Sequence, residues 1–239
     1  MRRMITGRLK GHSARQRVAE NGPPDSAQPP RTPERPAREN SRDALLEAAS
    51  ALMRELDTTE IGIVDIAARA GVNHAMIRYF FGSKEGLLMA LLDRDVTRRI
   101  RQLDRLFRLD VTSTERMRIH LSGILDTYYA IPYLNRLIQQ MVREADPARV
   151  RHIAEELLQP IANAQARIIE AGVASGEFRP VDPKLFYFNT IGAADGLYAN
   201  RFTLSAVFGG LPNADPQLHA RYSAHTVETL MKGLLADPA

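Results

Sequence analysis

The chain has 239 residues, 44% of them hydrophobic and 25% charged, which is enough apolar material for one large core or two modest ones. No run of about 18 apolar residues occurs, which excludes a membrane-spanning helix, and the basic start lacks the apolar stretch of a secretory signal. With no cysteine there are no disulfides, thiolate metal sites or Cys nucleophile, and a reducing cytoplasm is the expected location.

Residues 1–40 carry Arg or Lys at 2, 3, 8, 10, 15, 17, 31, 35 and 38 against acids at 20, 25, 34 and 39. That leader alone exceeds the net charge of +4, so the rest of the chain is slightly acidic and its overall basicity says little about a folded part. The leader also holds six of the 14 prolines and no apolar period. Such a composition cannot offset chain entropy, so 1–40 is expected to be disordered. It is a basic arm for a minor groove or phosphates, a solvated tail, or an extension upstream of the true start.

From Ser41 onward the pattern is helical. Leu45, Ala48, Ala49, Leu52 and Leu56 form one stripe, capped by Asn40 or Ser41, with Asp43 and Glu47 early as the dipole prefers. Ile63, Ile66, Ala67 and Ala70 mark a second helix, stopped by Gly71. Asn73 caps a third, in which Ile77 and Phe81 share one face. Ser83 caps a long fourth helix with Leu87, Leu88, Leu91, Leu92, Val96, Ile100, Leu103 and Phe107 on its buried side. After a break at 110–114, helices are expected at about 114–130, 132–145 and 147–174, the last kinked by Pro160, then a turn around Gly172, Gly176 and Pro180. Two final helices follow at roughly 183–206 and 215–236. No two-residue alternation supports a sheet, so the fold class is all-α.

Two helices joined by a glycine turn are the unit that lays its second helix in the DNA major groove. With Ile77 and Phe81 inward, Ala75 and Tyr79 point outward, flanked by Met76 and Arg78, and His74 stands in the first turn where bases are read. Arg78 can grip guanine or phosphate, Ala75 and Met76 can meet a thymine methyl, and Tyr79 offers its hydroxyl to the backbone. Lys84, just inside a helix N-terminus, opposes the dipole unless a phosphate sits there. The competing reading is a small helix with an ordinary solvated face.

Ile66-Ala67, Ala70-Gly71-Val72 and Phe81-x-Ser83-Lys84-Glu85-x-Leu87-Leu88, with the helix at 41–56, resemble the N-terminal domain of TetR-type transcriptional regulators over about 50 residues. The resemblance implies a two-fold dimer: a three-helix DNA-binding head at 41–88 on each subunit, and a larger helical body at 89–239 that binds an effector and dimerises. It also implies that the positions of Asn73, His74, Ala75, Met76, Arg78, Tyr79, Phe80 and Lys84 line the DNA. Two departures stand out. The family commonly has an aromatic where Arg78 stands, and a Thr or Ser with a nearby Arg where Gly62, Ile63 and Val64 stand. Segment 41–88 carries cations at 42, 54, 69, 78 and 84 against acids at 43, 47, 55, 57, 60, 65 and 85, a net of −2, so non-specific affinity of the head should be modest and Arg35 and Arg38 gain importance.

In that family the last two helices usually form the dimer interface. Gly192-Ala193-Ala194-Asp195-Gly196 supplies small residues for close approach, and His225, Thr229, Leu230, Gly233 and Leu234 make a stripe; internal core is the alternative. For an effector the sequence offers Tyr128, Tyr133 and Arg136, with Tyr129, Asn135 and Gln139 beside them, and Asp195, Tyr198 and Arg201 later; amphipathic helices with tyrosines at the core edge are the commoner explanation of such a pattern. His120, His152, His219 and His225 lack paired metal spacing, and neither a Gly-rich phosphate loop nor a GxSxG elbow occurs. No enzyme, cofactor or metal is therefore expected. The expected function is a homodimeric repressor on a palindromic operator, released by a small molecule. The alternatives are an effector-independent architectural or nucleoid factor, and a helical adaptor whose head has lost DNA binding.

Overall fold

The computed structural model describes residues 35–144, 146–209 and 215–237. The expectations for 1–34 lie outside them. Helix α1 (Arg35–Leu56) starts six residues before Ser41, which corrects the disorder expected for 35–40. Pro36 does not prevent this, because a proline in the first turn removes an N–H that has no intrahelical partner anyway. Leu45, Leu46, Ala48, Ala49 and Met53 are buried, whereas Leu56 is exposed where the helix ends. The next residue, Asp57, turns the chain with a positive φ of 51°.

Helices α2 (Ile63–Ala70) and α3 (Ala75–Phe81) follow, then the long α4 (Lys84–Leu106). Gly71 closes α2 in the left-handed region at φ 67°, its N–H bonded to the carbonyls of Ala67 and Ala68. Ser83 caps α4 as expected, its hydroxyl accepting from the Gly86 N–H at 3.1 Å. The expected apolar stripe of α4 is buried, with Ile100 and Phe107 half-buried, but α4 also buries two charges, Asp95 and Arg99.

The remaining helices are α5 (Ser113–Ala130), α6 (Leu134–Glu144), α7 (Pro147–His152), α8 (Gln159–Ala174), α9 (Pro183–Tyr198), α10 (Arg201–Phe208) and α11 (Pro216–Lys232). The bend expected at Pro160 takes the form of a π-helical turn, Ile153–Leu158, between α7 and α8. A proline ring crowds the carbonyl four residues before it, and a wider turn relieves that clash. The helix expected at 183–206 is broken at Ala199–Asn200, where the Asn200 amide turns back to the Gly196 carbonyl at 3.4 Å and competes with helix continuation. Among the described residues there is no strand, one isolated bridge (Phe178 to Leu235), and no helix long and apolar enough to cross a membrane.

Helix α5 is the hub of the body, packed on α4, α8, α9 and α11. One contiguous core runs from Leu45 in α1 to Leu234 after α11, so no linker separates the expected head and body. Polar ties reinforce this continuity. The Tyr133 hydroxyl is hydrogen-bonded to the Ser50 hydroxyl in α1 at 2.9 Å and lies 3.3 Å from the accepting Asp95 carboxylate in α4, and Arg136 holds both the carbonyl (2.9 Å) and the carboxylate of Asp57.

Glu177 staples the α8–α9 turn to the start of α5 by accepting from the N–H groups of Ser113 and Thr114 and from the Ser175 hydroxyl. Burial disfavours its charge, but the Thr114 and Ser175 bonds and the Ser113 N–H prevail and hold its pKa down at about 2. A depressed folded-state pKa contributes stability that is present above the ordinary carboxylate range and lost as pH falls toward 2. Glu177→Gln should therefore lower the melting temperature at pH 7, and the gap to wild type should narrow between pH 4.5 and 2, as checked by thermal melts across that range.

Candidate nucleic-acid interface

Helix α3 has seven residues, too few to stand alone, and is fixed at both ends and from behind. The Asn73 side chain accepts from the Ala75 N–H at 2.8 Å, and Gly82, at φ 76°, returns its N–H to the Arg78 carbonyl. Ile77 is buried and Phe81 half-buried under the Arg42 guanidinium, 5.3 Å from the ring centre. Helix α4 starts so close to the end of α3 that a Cβ on Gly86 would lie 2.0 Å from the Phe81 carbonyl oxygen. The outer face of α3 is thereby held rigidly toward solvent, with Ala75, Arg78 and Tyr79 exposed.

That face forms one wall of a concavity of about 640 Å³ lined by Ile63, His74, Ala75, Arg78, Tyr79, Ser83 and Lys84. Its lining contains two cations and no acid, although the head as a whole is acidic. Several of the head's acids pair away from the concavity, Glu55 with Arg69 in a two-pronged pair at 2.5 Å and Glu47 with Arg94 at 2.8 Å, while a hydrogen bond with Ser83 at its edge holds the Glu85 carboxyl below its usual pKa. The first N–H groups of α2 and α4 have no intrahelical partners, and Gly62 supplies no side-chain cap to α2. A guanidinium and an ammonium in a lining without an acid suit a polyanion.

Five of the expected residues, His74, Ala75, Arg78, Tyr79 and Lys84, share the concavity. Asn73 is exposed but its side-chain oxygen serves the cap. Met76 and Phe80 are half-buried against the core, and Phe80 steadies Tyr79 edge-on at 5.0 Å. Ile63 shares the helical spacing of Ile66 and Ala67, but as the first residue of α2 it stands clear of the core, 39% exposed, and lines the concavity. Neighbouring Val64 is 65% exposed. The missing polar side chains noted at these positions in the sequence thus leave an apolar surface at the mouth of the site.

A second feature lies in the body. Val96, Ile124, Tyr128, Ile138, Leu158 and Ile191 line a mostly apolar cavity of about 40 Å³ among α4, α5, α6, the π-turn and α9. Burial, with Asp195 and Tyr187 nearby, pushes the Tyr128 hydroxyl pKa up, so it remains a neutral donor. The five expected ligand residues are not brought together. Tyr128 lines the cavity; Tyr133 and Arg136 tie the body to α1 and Asp57; Asp195 accepts from Asn135 at 2.8 Å; and the Tyr198 hydroxyl meets His219 at 2.6 Å in the α9–α11 packing. An adjoining polar cleft of about 330 Å³ lies between α1, α4 and α5.

Comparison with known proteins gives two family matches: "Bacterial regulatory proteins, tetR family" over residues 45–91, and "Tetracyclin repressor-like, C-terminal domain" over residues 110–239. The chain is 29% identical over 199 residues to the HTH-type transcriptional repressor NicS of Pseudomonas putida, covering 82% of this chain and 93% of that one. It is 24% identical over 170 residues to the nucleoid occlusion factor SlmA of Vibrio atlanticus, covering 70% and 86%. Its fold resembles a TetR/AcrR-family regulator from Thermobifida fusca (TM-score 0.61, 23% identity, 80% of this chain and 97% of that one). It also resembles the regulator FadR from Bacillus subtilis in complex with stearoyl-CoA (TM-score 0.61, 19% identity, 80% and 98%).

Proposed function

We propose that this chain, which belongs to the tetR family of bacterial regulatory proteins and is therefore a DNA-binding transcriptional regulator, acts as a homodimeric repressor, not an enzyme, that a small molecule releases from an inverted-repeat operator. The observation that carries the reading is the rigid, outward face of α3 beside an acid-free concavity. In this reading Arg78 reads a base edge, Ala75 and Ile63 make apolar contacts, and Lys84 with the α4 N-terminus holds a phosphate. His74, Asn73, Tyr79, Met76 and Phe80 complete or support that surface. The protein would work in the cytoplasm, where the chromosome is.

Two heads must meet two half-sites, so dimerisation is part of the reading. It is supported by the solvent side of α9, where Leu185, Phe188, Gly192 and Gly196 form an apolar and small-residue stripe, with Val207 exposed on α10. The effector is placed in the body cavity and adjoining cleft. The FadR neighbour, with its stearoyl-CoA, supports a body of this fold that admits a ligand. Release requires the ligand to prefer the state whose heads mismatch the operator, since equal affinity for both states shifts nothing.

Selection of bound duplexes from a random pool tests the class. An inverted-repeat consensus is expected, and recovery of no preferred duplex removes the reading in favour of an adaptor. The SlmA relative favours one further possibility, a nucleoid factor without an effector, whose mark would be weak selectivity that no small molecule alters. On the selected operator, Arg78→Ala should cost about 1–3 kcal/mol and relax preference at one base pair. Lys84→Ala should weaken all sequences alike and reduce the salt slope by about one. Equal losses for Arg78→Ala on operator and random DNA, in filter-binding titrations, would remove its base-reading role.

A further inference from the structure

Arg99 lies on the buried stripe of α4, 7% exposed, without a carboxylate partner among the described residues. One terminal nitrogen, Nη2, donates to the His120 carbonyl at 2.8 Å and lies 3.5 Å from His120 Nδ1; Nη1 donates to Gln102 Oε1 at 3.3 Å. The buried Nε–H has no partner. The acid whose field reaches it is Asp126, which is itself exposed and paired with His219. Burial draws the Arg99 pKa down to about 10. Burial and the Arg99 charge hold His120 near 3, neutral, with Nε2 facing Gln165 Oε1 at 3.3 Å. A buried guanidinium lacking both a counter-charge and one hydrogen bond is a cost that folding alone does not recover.

The surroundings hold the group in place and leave room beside it. His120 in α5, backed by Gln165 in α8, fixes the guanidinium plane. Gly123 lets the guanidinium lie directly against α5, since a Cβ there would lie 2.4 Å from Nη1. Arg99 is also shared by two spaces. It lines the polar cleft with Ser50 and Arg54 of α1 and Thr127 of α5, where the acids Glu47 and Asp95 pair with Arg94 and Asp126 with His219, and it lines the apolar cavity with Ile124, Tyr128 and Ile191.

We propose that Arg99 anchors the effector, and that the effector is an amphipathic organic acid whose carboxylate reaches Arg99 from the cleft while its apolar body occupies the cavity. This rests on the effector-responsive reading above and adds the chemical class. A carboxylate matches the planar fork and would satisfy the Nε–H, while the cavity offers almost no ionic partner for a second charge. At about 40 Å³ the cavity must widen to admit the apolar body, which separates α4 from α9. Because the cleft is walled by α1 as well as α4 and α5, the bound acid touches the DNA-binding head and the body at once. That gives it different contacts in the two states, as a switch requires.

The test is calorimetric titration of the full chain with octanoate, octanamide, benzoate, benzamide, acetate and inorganic phosphate. At least one of the two acids should bind tenfold or more tightly than its amide, and acetate and phosphate should bind at least tenfold more weakly than that acid. Arg99→Gln should erase the preference for acid over amide, and Arg99→Lys should keep part of it. Should Arg99→Gln fail to fold, Gly123→Ala serves instead: its methyl displaces the guanidinium tip while favouring the helix, and it should weaken the acid tenfold and leave the amide unchanged. The proposal is overturned if neither pair shows the preference, including by not binding at all, or if the preference survives these variants. It is equally overturned if acetate or phosphate binds as well as the acid. Failure of the regulator reading has a separate signature, since no duplex would then be enriched from the random pool whatever the acids do.

Discussion

A chain carrying Phe188→Asp should sediment as a monomer and bind its operator roughly 100-fold or more weakly than wild type. Phe188 and Leu185 are 71% and 65% exposed one helical turn apart, and Gly192 and Gly196 continue the same side of α9. A single exposed leucine means little, but two large apolar side chains in register, with Val207 exposed on the next helix, make a patch that calls for a cover. An aspartate in its middle would have to be desolvated without a partner when two copies meet. In a dimer the second head binds at an effective concentration near the millimolar range, and that advantage disappears with the interface. The protomer itself should keep its helicity, because Phe188 faces away from the core. Unchanged sedimentation and affinity would show that α9 is not where the copies meet.

Gly86→Ala should destabilise the head by about 3 kcal/mol, at the upper end of overpacking costs, and weaken binding to operator and random DNA together. The new methyl would meet the Phe81 carbonyl oxygen at 2.0 Å and its carbon at 3.1 Å. Both are backbone atoms that cannot rotate aside, so α3 must move away from α4. Gly71→Ala provides the contrast. Nothing lies within 4 Å of its Cβ position, and the cost is that of holding a non-glycine residue at φ 67°, about 1 kcal/mol. Urea denaturation read by circular dichroism separates the two variants. A wild-type midpoint for Gly86→Ala would mean that the α3–α4 junction is loose and does not hold the outer face of α3 in place.

The head was legible because its signals are local. Gly71, Asn73 and Ser83 each declare a helix end within three or four residues, and Ile77 needed only its own helix to be assigned inward. The body was less legible because its determinants are far apart in sequence. Tyr133 reads as a pocket residue until its partners are known, and these are Ser50 and Asp95, separated from it by 83 and 38 positions. The break at Asn200 turns on one side-chain bond back to Gly196, and the start of α1 at Arg35 on a proline in the first turn that suits a helix as well as a loop. Arg99 does leave a signal in the sequence: Leu92, Val96, Arg99 and Leu103 recur at helical spacing, so a cation occupies a place on an apolar stripe. The mid-helix Gly123 facing it was the matching clue.

Helix α4 is unbroken over 23 residues, about 34 Å long, with its first turn beside the concavity of the head and its middle beside the body cavity. Such a rod acts as a lever arm. A tilt of about 5° about one end sweeps the other by about 3 Å, close to the rise of one base-pair step. In the proposed homodimer, a displacement of less than one atomic diameter at Val96 or Arg99 would therefore be enough to take two heads out of step with the helical repeat they would follow.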